Sequence, residues 1–126
     1  MLICLIKNQI EQRLTNSWAA SISDSIRGIK ALNLKDNKTS YYVTDEWEPM
    51  LEDAIEAAIS PASVEVLNGT YSPFQLSEIV DRTQLILTAQ RVLALTYEHS
   101  AKTLPSIMTE QLAQLPGGED WKLGRQ

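Results

Sequence analysis

Four carboxylates stand within nine residues of this chain: Glu48, Glu52, Asp53 and Glu56. On a helix, spacings of three and four put such groups on one face, where they could hold a divalent ion. The companions of a metal site are missing. There is no glycine-containing calcium loop and no glutamate set three residues from a histidine. His99 is the only histidine, placed near a helix end where the backbone dipole favours a cation, so a surface or capping role is expected. Cys4 is the only cysteine, which excludes an intramolecular disulfide and a cysteine-based metal site. It lies in an apolar run and reads as a small core residue. Phosphate loops, dinucleotide fingerprints and nucleophile elbows do not occur. The expectation is therefore no enzyme activity, no cofactor and no metal.

Charge narrows the partners. The chain of 126 residues carries a net charge of −5, unevenly placed. Residues 1–38 hold six basic and three acidic groups; residues 39–81 hold nine acidic groups and no Lys or Arg. A grip on nucleic acid needs a concentrated basic face, and the strongest block here is acidic. The bland reading of that block is a solvated helix face. The apolar opening, Met1 to Ile6, is interrupted by Lys7, Gln9, Glu11 and Arg13, too early for a signal peptide. No run approaches the ~20 apolar residues of a membrane span. A soluble chain without an export signal is expected.

These groups need a scaffold, and hydrophobic spacing supplies one. Ile6, Ile10, Leu14, Trp18, Ile22, Ile26 and Ile29 recur at fours and threes, which predicts one long helix over about 5–30. A polar loop over 33–44 follows, in which Tyr41, Tyr42 and Val43 could form one extended strand. Thr44 or Asp45 starts the next helix, with Trp47, Leu51, Ala54, Ile55 and Ala58 on its apolar face. Pro49 suits only a first turn. Ser60-Pro61 reads as a cap with proline at the first helical position, so a short helix over about 61–67 continues after a kink.

The stretch VLNGTYSPF, residues 66–74, then decides the fold class. An Asn-Gly hairpin needs alternating flanks, and Pro73 spoils the downstream one. Gly69 suits a left-handed helix stop, and Ser72-Pro73-Phe74-Gln75 is a capping box. The stretch is a turn between helices. Asp81 offers a second cap, separating 73–80 from 82–100. In the latter, Leu85, Ile86, Ala89, Val92, Leu93, Thr96 and Tyr97 form a broad face, with Leu87 and Leu95 on the other side. A helix apolar on several sides is buried or covered by another subunit. Leu87, Leu95 and Trp47 are thus candidate oligomer contacts. Pro105 opens a last helix over about 105–115, with Ile107, Met108, Leu112 and Leu115 inward, and Pro116-Gly117-Gly118 stops it. The expected architecture is all-α: one domain over 1–118, with four to six helices, and a polar tail over 119–126. Trp121 stands in that tail, where docking into a partner competes with packing back onto the domain.

Residues 50–118 carry a resemblance. The run MLEDAIEAAISPASVEVLNGTY, a proline, then LILTAQRVLALTY and IMTEQLAQLPGG resemble the head–tail connector (adaptor) proteins of tailed bacteriophages, notably at Tyr71, Pro73 and Gly117. The resemblance implies a ring, twelve-fold like the portal, in the virion neck after assembly in the host cytoplasm. It implies contact with the portal and other neck or tail proteins and DNA passing without specific binding. It implies no enzyme activity, cofactor or membrane. A C-terminal segment would reach the portal, here Trp121, Lys122, Leu123 and Arg125. An acidic lumen would repel phosphate, and Glu46, Glu48, Glu52, Asp53 and Glu56 are the candidates for it. The competing expectation is a small acidic helical regulator acting as a dimer.

Overall fold

A computed structural model describes residues 1–35, 44–100 and 102–124, leaving aside the side chains at 29–35, 44–47 and 97. The described residues form seven α-helices and no strand: α1 (Leu2–Glu11), α2 (Asn16–Lys35), α3 (Thr44–Glu65), α4 (Pro73–Ile79), α5 (Arg82–Glu98), α6 (Leu104–Leu112) and α7 (Gly118–Lys122). A 3-10 turn, Val66–Gly69, closes α3. The all-α expectation holds. The extended stretch expected at 41–43 lies outside the described residues.

The single long N-terminal helix does not form. Gln12 adopts a left-handed backbone, φ 55° and ψ 37°, and its N–H returns to the Asn8 carbonyl at 2.9 Å. Thr15 then caps α2, its hydroxyl accepting from the Trp18 N–H at 3.1 Å. The apolar stripe survives the break: Ile6, Leu14, Trp18, Ile22 and Ile26 are all buried. Hydrophobic spacing reports which residues go inside and is blind to one left-handed residue between two helices. Asn8 pins the joint. Its buried amide donates to the carbonyls of Arg13 at 3.0 Å and Pro116 at 2.7 Å, tying chain segments more than a hundred residues apart.

α3 is the second departure. It runs through Pro49 and Pro61 to Glu65, so no separate helix begins at Pro61. Proline forfeits one helical N–H. The Ser60 carbonyl accepts from the Ser63 hydroxyl at 2.6 Å, and Ile55, Ala58, Ile59, Ala62 and Val66 stay buried across the proline. Tertiary packing of the apolar face holds the helix where local propensity would end it.

The turn at 66–74 is helix to helix, as its caps predict. Leu67, Asn68 and Gly69 all have positive φ. Leu67 is held from α1: the Glu11 carboxylate accepts from its N–H at 3.1 Å and from the Arg13 side chain at 2.8 Å. Beside it, the Lys7 ammonium is only 7% exposed as a residue, pairs with Glu65 at 2.9 Å and lies 5.1 Å from the Trp18 ring centre. Ser72 and Gln75 form the reciprocal capping box of α4, and Asp81 caps α5 by accepting from the Gln84 N–H at 3.1 Å.

The core gathers around α1 and α5. Five consecutive residues of α1, Cys4 to Asn8, are buried, and α5 packs against α1, α2, α3 and α6. Each fully buried aliphatic side chain here contributes on the order of 1.5–3 kcal/mol. A helix enclosed by four others must be apolar on more than one side, and this accounts for α5 without a second subunit over most of its surface.

Candidate functional site

Where α5 is not enclosed, a groove of about 520 Å³ runs between it and α3. Ile55 and Ile86, both buried, form its floor. Glu48, Glu52, Asp53 and Glu56 line the α3 wall; Thr83, Leu87 and Gln90 line the α5 wall. Leu87 is 53% exposed. An exposed leucine alone is ordinary; one beside a preformed apolar floor inside a charged rim is a docking feature.

Helix register builds the arrangement. Glu48, Glu52 and Glu56 succeed one another at four-residue steps and share one side of α3, while Leu51, Ile55 and Ala58 turn to the core. Arg82 closes one end of the groove. Its Nε donates to Glu56 at 2.8 Å, and its terminal nitrogens donate to the Ser77 carbonyl and hydroxyl, each at 2.8 Å. Glu56 is therefore neutralised locally. Glu48, Glu52 and Asp53 have no basic partner among the described residues.

The groove thus unites residues to which the sequence assigned two different roles: four of the five lumen carboxylates and one of the three oligomer contacts. Glu46 and Trp47 belong to α3, with side chains outside the description. Leu95 is corrected. It is 4% exposed, buried within its own chain, and is not an available interface residue. It lies only about 80° around α5 from Leu87, but that rotation carries it into the arc covered by neighbouring helices.

The tail is corrected as well. Residues 118–122 form α7, and Trp121 is partly buried against the core, its indole N–H donating to Asn16 Oδ1 at 2.8 Å. Gly117 makes this return possible. It has φ 73°, and a Cβ there would lie 2.5 Å from the Arg13 Cα. Pro116-Gly117-Gly118 ends α6 but also presses the chain against the α1–α2 joint and sends it back along the domain. Of the proposed portal-reaching residues, Lys122 is exposed, Leu123 is 60% exposed, and Arg125 lies outside the described residues.

No group of three or more His, Cys, Asp or Glu side chains among the described residues is arranged to hold a metal ion. His99 is the C-cap residue of α5 and does not line the groove. No described helix is long and apolar enough to cross a membrane. Arg82 was missed as a site residue because its partners, Glu56 and Ser77, come from two other helices. Compared with protein-family models, curated proteins and solved structures, the chain matches none of them.

Proposed function

We propose that this chain is a non-catalytic assembly protein, and specifically a head–tail connector whose copies form a ring beneath a phage portal through which DNA passes. The observation that carries the reading is Leu87, half open to solvent over an apolar floor and rimmed by carboxylates, of which Glu48, Glu52 and Asp53 have no basic partner among the described residues. Such a groove has the apolar centre and polar rim of a protein contact. Among the described residues its lining holds no histidine, cysteine, serine or lysine. The carboxylates suit an interface better than a lumen, because they share their groove with a leucine. DNA in transit gains nothing from an apolar lining.

One observation favours the runner-up, a small acidic regulator acting as a dimer. Trp121 is turned inward, which leaves less chain free to reach a portal. Mass in solution separates the two. The chain is measured by sedimentation and native mass spectrometry, alone and with the portal protein encoded by the same genome. The connector reading expects recruitment to the portal in a ring stoichiometry. A dimer under every condition, indifferent to the portal, overturns it in favour of the regulator.

A further inference from the structure

A second cleft, of about 380 Å³, lies on a different face of α5, between that helix, α1 and the turn after α6. Leu5, Leu85 and Leu115, all buried, form its floor. Its walls are pinned by hydrogen bonds. The Gln9 side-chain amide donates to the Asp81 carbonyl at 3.1 Å, and the Asp81 N–H donates back to Gln9 Oε1 at 2.9 Å. The Gln12 side chain donates to the Gln9 carbonyl at 2.6 Å, and Asn8 holds the Pro116 carbonyl at 2.7 Å. Other lining groups are uncommitted. Among the described residues, the side chains of Gln84, Thr88, Arg91 and Gln114 make no hydrogen bond or ion pair. Gln84, Thr88 and Arg91 follow one another at steps of four and three and share one side of α5. Arg91 is the one cation among the described lining residues; the one carboxylate, Asp81, accepts from the Gln84 N–H as the α5 cap.

This set of groups describes its ligand. A side-chain amide offers both a donor and an acceptor, the pair that a peptide group needs. A guanidinium offers two parallel N–H groups to a carboxylate. An aliphatic floor takes apolar side chains. The wall from Asp81 to Arg91 is about 15 Å of helix, a length that an extended chain covers with about four residues. We propose that the cleft binds the free C-terminus of a partner polypeptide. Arg91 holds the terminal carboxylate, Gln84, Thr88 and Gln114 bond the last peptide groups, and aliphatic side chains of the final residues rest on Leu5, Leu85 and Leu115. Capture of a chain end divides the work in this way, with main-chain hydrogen bonds for affinity and a charge for the terminus. The site shares no residue with the α3–α5 groove, so either can fail without the other.

An array of acetylated tetrapeptides with free C-termini, each paired with its C-terminal amide, tests it on the full chain. Peptides retained on the array are titrated into the nitrogen-labelled protein, and NMR follows the side-chain amide signals of Gln84 and Gln114. Peptides ending in an aliphatic residue should bind with a Kd of about 1 mM or tighter, shift both signals, and exceed their amides by about tenfold or more in affinity, since the lost contact is charge-assisted. Arg91→Gln should erase the preference for acid over amide without changing the thermal melt, because Arg91 has no partner to lose. Arg91→Lys, which keeps the charge without the parallel donors, should keep part of the preference. Gln84→Ala should weaken acid and amide alike. An array in which no peptide prefers the free acid overturns the proposal, as does a preference that survives Arg91→Gln. Acetyl-leucine binding as tightly as the best tetrapeptide also overturns it, and places a small carboxylate in the cleft instead of a chain end.

Discussion

Asn8 does more for this fold than its single amide suggests. Buried at the end of α1, it donates to the carbonyls of Arg13 and Pro116, which lie near opposite ends of the sequence. An ordinary hydrogen bond contributes about 0.5–1.5 kcal/mol net. Asn8→Ala removes two part-buried hydrogen bonds and should lower unfolding stability by roughly 1–3 kcal/mol, read from urea denaturation. A loss below about 0.5 kcal/mol, the range of ordinary surface changes, would remove Asn8 from this role. Lys7 and Glu65 pose the same kind of problem. Their side chains meet at 2.9 Å across 58 residues of sequence, and no local pattern announces the pair.

At the scale of elements, the legible features were those with local causes. Ser72 followed by Pro73 and Gln75 reads as a cap and is one; Asp81 followed by Gln84 likewise. The joint at Gln12 was illegible because a glutamine in the left-handed region has no compositional signature, unlike Gly69. Pro116-Gly117-Gly118 was legible as a stop, but not as the hinge that returns α7. That role depends on where Arg13 lies, 2.5 Å from a hypothetical Gly117 Cβ. Gly117→Ala meets both a positive φ and that backbone contact, and should destabilise by more than the ~1 kcal/mol of a compatible exchange. It should also release α7. Trp121 emission, isolated by difference against Trp121→Phe, should shift to longer wavelength, and trypsin should cleave sooner at Lys122. An unchanged Trp121 signal would show that Gly117 does not hold the return.

For the molecule as a whole, the informative contrast is between Leu87 and Leu95. Both are leucines on α5, eight residues apart, and the sequence reads them alike. Leu95→Ala should cost about 2–5 kcal/mol, as core truncations do. Leu87→Ala should stay within about 0.5 kcal/mol of wild type while weakening association. Thermal denaturation and sedimentation of the two variants measure both. Equal destabilisation would mean that Leu87 is covered within its own chain, and the docking groove would lose its seat.

The sequence by itself determined the all-α class, the turn at 66–74, most core positions and the concentration of carboxylates on α3. Each of these follows from hydrophobic periodicity, capping chemistry or charge count over a few adjacent residues. Only the tertiary structure decided that α1 and α2 part at Gln12, that α3 passes through Pro61, that Trp121 turns inward and that Leu87 alone of its pair remains open. Those outcomes depend on which helices surround which. A helix apolar on several sides carries one pattern whether its cover comes from its own chain or from another.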